Sequence, residues 1–208
     1  MGYRTLAVGP DATAEIEVKR SRFLAVLRRV GSEEDARALT GELRRTHHDA
    51  RHHCSAFVIG PRQQLQRSND DGEPAGTAGM PMLQVLLGAG ISDVAAVVVR
   101  WFGGTLLGAG GLVRAYGDAV TAALAAAGFV EREQLALADL ELPHADAGRV
   151  ESELRANGVT VLGTDYAAVA TLHLAVADLN RLRELVAVAT SGTAELVETG
   201  SRWIDLPT

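Results

Sequence analysis

Residues 70–116 of this 208-residue chain read DDGEPAGTAGMPMLQVLLGAGISDVAAVVVRWFGGTLLGAGGLVRAY, and the rest of the chain is arranged around them. The stretch begins with a polar turn, continues through a helical segment and a buried strand, and ends in a glycine-rich bend. It holds ten of the 22 glycines. Glycine costs conformational entropy on folding and is useful where backbone turns sharply or approaches another group closely. The density of glycine therefore indicates a site.

Within this stretch, residues 94–102 form the most strand-like run of the chain. Their continuous apolar character predicts a central strand that is covered on both faces. A short helix is predicted before this strand, beginning at Thr77 or Gly79. Another is predicted after it, beginning at Gly110 or Gly111.

Upstream of the stretch, the sequence predicts further strands and one helix. Alternation at 15–19 and apolar residues at 23–30 indicate two strands joined by a turn. Ser32, followed by three acidic residues, is typical of a capped helix start. Residues 52–60 predict another strand, with 63–67 as its hairpin partner.

After residue 132 the pattern changes, and the predicted order of elements becomes βαββαβ. The predicted strands cover 135–142, 159–164, 168–176 and 193–203, and the helices cover 145–156 and the residues after Asp178. This order is the split βαβ arrangement of a ferredoxin-like domain. The sequence therefore predicts an α+β protein with two domains, 1–132 and 133–208.

Charge is distributed unevenly over the two predicted domains. Residues 1–132 carry 15 basic and 14 acidic side chains, a balance of +1, whereas residues 133–208 carry 5 and 12, a balance of −7. A net charge of −6 argues against a simple nucleic-acid coat but leaves a local basic face on the first half open. The single cysteine and the short apolar runs predict a cytoplasmic protein without a membrane partner.

Histidines and Cys54 cluster in HHDARHHC at 47–54, ahead of the carboxylates of DDGE at 70–73. These residue types bind zinc, so a metal site is one hypothesis. Neither HExxH nor a pair of CxxC motifs occurs, and in a strand His53 faces away from His52 and Cys54. The pattern favours a polar strand entry with Cys54 as a small buried residue, and no metal or cofactor is expected.

The acidic turn itself has two interpretations. Its carboxylates can cap a helix and pair with an arginine, or they can contact a cation or a partner. The sequence favours a structural turn, with partner contact as the alternative.

The glycine-rich bend, RWFGGTLLGAGGLVRAY at 100–116, has two interpretations, and the first is anion or nucleic-acid binding. Free N–H groups at a helix N-terminus attract phosphate, arginine pairs with it, and aromatic rings stack on bases. Neither a P-loop nor a strict GxGxxG motif is present. The alternative is that the aromatic rings are core and that the glycines permit close packing.

Two groups of candidate residues follow. The predicted nucleic-acid or anion-binding residues are Arg100, Trp101, Phe102, Gly103, Gly104, Gly108, Gly110, Gly111, Arg114 and Tyr116. A predicted accessory polar face comprises His47, His52, Cys54, Asp71, Glu73 and Thr77. No catalytic residue is assigned.

Three motifs in order resemble the YigZ/IMPACT family, and the resemblance covers nearly the whole chain. They are His47-x-x-Ala50-x-His52-x-Cys54, Asp71-Gly72-Glu73-Pro74-x-Gly76-Thr77-x-Gly79-x-Pro81 and Val98-Val99-Arg100-Trp101-Phe102-Gly103-Gly104-x-x-Leu107-Gly108. The resemblance implies a first domain like the second domain of a small-subunit ribosomal protein and like domain IV of elongation factor G. It implies a ferredoxin-like second domain, as in domain V of that factor.

The resemblance also carries expectations about function. Eukaryotic relatives regulate translation during amino-acid starvation, and RNA or ribosome association is proposed for bacterial members. The leading hypothesis is a non-catalytic regulator of translation that binds RNA or the ribosome, with a protein of translation control as a further partner. The alternatives are a metal- or phosphate-dependent hydrolase or phosphotransferase, and a protein-interaction module.

Overall fold

The computed structural model describes residues 2–206 and has the α+β architecture expected from the sequence. Its strands are β1 (Tyr3–Leu6), β2 (Ala12–Val18), β3 (Ser21–Arg29), β4 (His52–Ile59), β5 (Leu65–Asn69), β6 (Val94–Trp101), β7 (Phe129–Leu142), β8 (Thr160–Tyr166), β9 (Ala170–Val176) and β10 (Leu196–Asp205). Its helices are α1 (Glu33–Thr46), α2 (Gly79–Gly88), α3 (Ala109–Ala125), α4 (His144–Ala156) and α5 (Leu179–Thr190). The chain divides into two compact units, Gly2–Arg132 with Leu206, and Glu133–Asp205.

The first unit contains an antiparallel sheet with the strand order β2-β3-β6-β4-β5. Strand β6 lies at its centre, between β3 and β4, and every residue from 94 to 100 is buried. The prediction of a central strand covered on both faces is confirmed.

Alternate residues of β6 pack into two different cores. Val94, Ala96 and Val98 pack with apolar residues of α2 and α3. Their neighbours 95, 97 and 99 pack with residues of α1. The sheet is thus a layer between α1 on one face and α2 with α3 on the other, as expected when successive strand residues point to opposite faces.

Strand β1 escaped the sequence analysis. It pairs antiparallel with residues 129–132 at the start of β7, so β7 begins six residues before the predicted 135. A strand of four residues shows little alternation, and its partner lies more than a hundred positions away. The helix starts, by contrast, follow local chemistry: the Ser32 side chain accepts from the Asp35 N–H, as predicted.

The second unit has the element order β7-α4-β8-β9-α5-β10. Its strands are arranged β10-β7-β9-β8, and β9 pairs antiparallel with both β7 and β8. Buried residues of α4 and α5 share one core with this sheet. The ferredoxin-like prediction is confirmed, including the capping of α5 by Asp178. No helix within the described residues is both long and apolar enough to span a membrane.

Candidate functional site

A cleft of about 420 Å³ opens in the first unit, next to the start of α3. Three separate stretches of the sequence line it: the start of β4, the acidic turn, and the end of β6 with the glycine-rich bend. The lining residues are Arg51, His52, Glu73, Pro74, Arg100, Phe102, Leu106, Leu107, Gly108, Ala109 and Leu112. The sequence alone left open whether these stretches meet, and the structure brings them together.

A buried ion pair lies at the cleft. Arg100 Nη1 is 2.5 Å from Glu73 Oε1, and the two side chains are only 6% and 4% exposed. The Arg100 guanidinium also lies 5.4 Å from the centre of the Phe23 ring. The Nε atom of Arg100 is buried and has no hydrogen-bond partner among residues 2–206. Since an unmade hydrogen bond to a buried group costs free energy, the ion pair with Glu73 is the contact that compensates this guanidinium for its burial.

Tyr116 holds Glu73 from the core side, and Cys54 in turn contacts Tyr116. The Tyr116 hydroxyl donates to Glu73 Oε1 at 2.7 Å, and Cys54 Sγ lies 3.3 Å from that hydroxyl and 3.0 Å from the Asp70 carbonyl oxygen. Burial raises the pKa of Cys54 to about 12 and raises the pKa of Tyr116 as well. Cys54 is therefore a protonated structural thiol at neutral pH.

The burial of Tyr116 corrects one prediction. Its side chain has no exposed surface, and its ring packs edge-on against Phe23 at 5.2 Å. A base has no access to it, so Tyr116 is a supporting residue and does not stack. The spacing of Leu112, Tyr116 and Val120 is the i, i+4 pattern of a buried helix face, which already indicated core.

His52 reaches the cleft from β4. Its Nε2 lies 3.9 Å from Glu73 Oε1, and its Nδ1 lies 2.9 Å from the backbone oxygen of Asp71. His53 points to the opposite face, where its Nε2 is 3.1 Å from the His47 oxygen. Burial lowers the pKa of His53. The predicted separation of the two histidines is confirmed.

The first aspartate of the acidic turn closes the N-terminus of α2. Asp70 Oδ1 accepts from the N–H groups of Ala78 and Gly79, and Oδ2 accepts from that of Gly76. Burial by itself raises the pKa of Asp70, but the hydrogen bonds from Gly76, Gly79 and Ala78 outweigh it and lower the pKa. This is the capping role favoured for the turn.

Asp71 and Thr77 also have structural contacts. Asp71 pairs with Arg44 at 2.7 Å and accepts from the N–H of His53 at 2.7 Å. The Thr77 hydroxyl donates to the Pro74 carbonyl oxygen at 2.7 Å. Of the predicted accessory face, only His52 and Glu73 line the cleft.

Trp101 lies on the other face of the sheet from Arg100. Its Nε1 donates to Asp49 Oδ2 at 2.8 Å, and its ring meets that of His47 edge-on at 5.4 Å. The Arg22 guanidinium lies 4.6 Å above the Trp101 ring. Trp101 belongs with Arg100 to the predicted binding set, but it does not share the face of Arg100, because neighbouring strand residues point to opposite sides. His47, of the accessory group, lies on the Trp101 side.

Some of the glycines of the bend are required by the backbone. A Cβ on Gly103 would lie 2.0 Å from the carbonyl carbon of Arg20, so only glycine fits there. Gly104 and Gly108 have φ of +83° and +73°, which disfavours other residues. A Cβ on Gly111 would lie 3.0 Å from Leu107 Cβ. Close packing thus accounts for Gly103 and Gly111, and backbone conformation accounts for Gly104 and Gly108.

Neither packing nor backbone conformation requires a glycine at position 110. A Cβ at this exposed position in the first turn of α3 would have nothing within 4 Å. The helix begins at Ala109, one or two residues earlier than predicted, and its first backbone bond runs from Leu112 N to Gly108 O. Within residues 2–206 no side chain caps it, so the N–H groups of residues 109–111 are open to an anion.

Comparison with known proteins places this geometry in a family. The Impact N-terminal domain model matches residues 19–124, and Domain of unknown function DUF1949 matches residues 140–193. The first match spans half of the chain and contains every residue of the cleft. The chain belongs to the IMPACT family.

Two individual relatives and one solved structure support this family membership. IMPACT family member YigZ of Escherichia coli is 41% identical over 76% of this chain and 79% of that protein. IMPACT family member YvyE of Bacillus subtilis is 45% identical over 68% of this chain and 65% of that protein, which is less than two thirds of its length. A solved structure described as a hypothetical protein is 36% identical and covers 95% of this chain and 97% of its own, with a TM-score of 0.64.

The IMPACT cleft includes residues that the sequence analysis missed. Arg51 lies next to the predicted His52, and its guanidinium is 5.8 Å from the centre of the Phe102 ring. Leu106 is 83% exposed at the cleft, an unusual position for leucine. Because Leu106 follows the glycine pair inside the third motif, its place in the bend was the available signal.

Of the predicted binding residues, Phe102 lines the cleft and Arg114 does not. Phe102 is 40% exposed and lines the cleft, as a stacking ring requires. Arg114 is exposed on α3, outside the set of residues that line the cleft. Within residues 2–206, no group of three or more His, Cys, Asp or Glu side chains is placed to hold a metal ion.

Proposed function

We propose that this IMPACT protein acts in translation control in the cytoplasm by binding single-stranded RNA in the cleft, free or as part of the ribosome. The observation that supports the proposal most is Arg100. Its side chain is 94% buried and is held by Glu73, yet it lines the cleft, so a ligand there would meet a guanidinium already fixed in position. Membership of the IMPACT family supports the link to translation.

The cleft offers both kinds of contact that single-stranded nucleic acid needs. Arg100, Arg51 and the open N-terminus of α3 present positive charge and N–H donors, which suit phosphate. Phe102 presents an exposed ring, and stacking on an aromatic ring serves any base. The acidic second unit, at −7, is a poor nucleic-acid surface, so contact is assigned to the first unit.

The proposed surface is narrower than the one expected from sequence. It consists of the cleft residues Arg51, His52, Arg100, Phe102, Gly108 and Ala109, with Gly110 next to them in the first turn of α3. Arg114 is assigned a peripheral role because it lies outside the cleft. Gly103, Gly104 and Gly111 shape the bend.

The test is RNA binding by fluorescence anisotropy at several salt concentrations. Wild type is compared with an Arg51→Ala/Phe102→Ala variant and with a matched control, Arg37→Ala/Tyr166→Ala, which removes an exposed arginine and an exposed tyrosine elsewhere. We expect the cleft variant to bind about ten-fold more weakly, since one stacked base contributes roughly 1–3 kcal/mol. Affinity should fall with salt, with a slope of about −0.7 per phosphate contact.

The control sets the standard of comparison. If both double variants bind RNA like wild type, the cleft is not the RNA site. Cosedimentation with ribosomes at low and moderate salt then separates the two partners: RNA binding without ribosome association limits the proposal to free RNA.

A further inference from the structure

The hairpin turn between β2 and β3 carries two basic residues in an uncommon backbone conformation. Val18 pairs with Ser21, so Lys19 and Arg20 form the two-residue loop. Their φ angles are 49° and 65°, and a type I′ turn needs a positive φ at both positions. Such a turn favours Asn-Gly, because residues with a side chain seldom adopt a positive φ. Conformations of this kind cost stability and are concentrated at functional sites.

The positive charge of this turn is not neutralised within the protein. Lys19 and Arg20 are exposed, and neither forms an ion pair within residues 2–206. Arg20 Nη2 donates to the Thr105 hydroxyl at 3.2 Å, which is an uncharged acceptor. Arg22, in the same hairpin, is by contrast bound by both carboxylate oxygens of Glu15 at 3.1 Å. Both charges of the turn therefore remain available to an anionic partner.

The turn lies against the glycine-rich bend, next to the cleft. The Gly103 N–H donates to the Ser21 hydroxyl at 3.1 Å, and the backbone of Arg20 lies directly against Gly103. Phe102, which lines the cleft, is the residue before Gly103, and consecutive Cα atoms are about 3.8 Å apart. Gly104 is exposed, and a Cβ there would have nothing within 4 Å. A strand that leaves the cleft can therefore cross the bend close to its backbone.

We propose that the site for single-stranded RNA extends beyond the cleft, so that the strand crosses the bend at Gly104 and places phosphates against Lys19 and Arg20. This inference rests on the proposed function and adds a second contact region to it. A nucleic-acid strand suits both regions, because it carries a base for the ring of Phe102 and regularly spaced phosphates for the turn. The ring and the turn thus contact neighbouring parts of one strand.

The experiment measures binding of one RNA of about 12 nucleotides by fluorescence anisotropy at several salt concentrations. Lys19→Asn/Arg20→Gly removes both charges and introduces the residue pair that the turn favours, so this variant should be at least as stable as wild type in thermal denaturation. We expect it to bind RNA at least about ten-fold more weakly at about 0.1 M salt. The salt slope should become shallower by about 1.4, or about 0.7 for each phosphate contact that is lost.

Two further variants serve as controls. Arg62→Ala/Arg67→Ala removes the same number of positive charges from exposed positions of the β4–β5 hairpin, which lies at the opposite end of the sheet. It should bind RNA like wild type. Lys19→Gln/Arg20→Gln removes the charges of the turn and retains long side chains, so it separates the effect of charge from that of the shape of the turn.

Every outcome bears on the inference. Weaker binding and a shallower salt slope in both turn variants, with the β4–β5 control like wild type, support it. Turn variants that bind like this control overturn it, and so does a loss confined to Lys19→Asn/Arg20→Gly, since the shape of the turn would then be the cause. If Arg51→Ala/Phe102→Ala still loses affinity in those cases, the proposed function stands without the inference. A wild-type protein that binds no RNA overturns both.

Discussion

Helices α2 and α3 pack side by side on the same face of the first sheet. Their N-termini differ in whether a side chain satisfies the free N–H groups. Asp70 reaches across the acidic turn and occupies the N–H groups at the start of α2. At the start of α3, Gly108 occupies the N-cap position, and no side chain in the described part of the chain accepts from the N–H groups there. The N–H groups at the start of α2 are thus satisfied within the protein, whereas those at the start of α3 remain available at the cleft.

The acidic turn connects the two helix ends. Asp70 belongs to α2, whereas Glu73 of the same turn is held by Tyr116 of α3. A structural carboxylate and a cleft carboxylate therefore lie three residues apart. The lesson is that a cluster of like residues in sequence is sorted into separate roles by the tertiary contacts of each side chain.

The largest expected effect comes from removing the Asp70 carboxylate that caps the N-terminus of α2. Asp70→Ala removes the acceptor of three backbone N–H groups, and we expect the free energy of unfolding to fall by about 2 to 3 kcal/mol. Asp70→Asn, which retains one carbonyl oxygen, should lose less. Urea denaturation measures both. Asp118→Ala on the exposed side of α3 is the control, and an Asp70→Ala variant as stable as that control would show that the cap is dispensable.

The stability that Asp70 contributes by capping α2 should also depend on pH. The pKa of Asp70 is lowered in the folded protein, so its contribution is complete above its ordinary value near 3.9 and is lost as the pH falls through the lower folded value. Between about pH 5 and about pH 2.5, wild type should therefore lose stability more steeply than Asp70→Asn. Parallel curves for the two proteins would contradict this assignment.

A smaller effect is expected at the link between α3 and the acidic turn. Tyr116→Phe removes the hydroxyl that donates to Glu73 but retains the ring in the core, and it should cost about 1 kcal/mol. Tyr166→Phe, at a position 64% exposed, is the control and should stay within about 0.5 kcal/mol of wild type. Equal stability of both variants would mean that Arg100 alone holds Glu73.

The smallest effect is expected from closing the open end. Gly110→Asp should raise the free energy of unfolding by about 0.5 kcal/mol, because an acidic side chain in the first turn complements the helix dipole. Thermal denaturation at low and high salt measures it, and salt should diminish the gain. A destabilised variant would show that the first turn of α3 needs glycine for its own conformation.

Sequence analysis predicted the features that depend on local hydrophobic periodicity and on capping residues at helix ends. Short-range signals mark the buried run at 94–100, the capping residues Ser32 and Asp178, and the βαββαβ order of the second half. The alternation of strand residues also contained the separation of Trp101 from Arg100, since they are adjacent in β6. That separation was within reach of sequence reasoning and was missed.

The remainder of the site depends on contacts between distant positions. Glu73 and Arg100 are 27 residues apart, and Asp70 caps a helix that begins nine residues later, after a turn whose path no local pattern shows. Helical spacing indicated that Tyr116 is core, but its partners Phe23 and Glu73 lie far from it in the sequence. Such pairings arise from the packed sheet and helices, so sequence patterns identified the residue types and left their partners open.

The position of Cys54 has a practical consequence for measuring motion in this protein. The only thiol of the chain is fully buried, and its pKa of about 12 keeps it protonated, so a thiol reagent in neutral buffer reacts only with molecules whose core has opened there. The labelling rate therefore reports the local opening equilibrium next to Tyr116 and the acidic turn. A ligand that settles in the cleft should slow that labelling, which would detect occupancy without any label on the ligand.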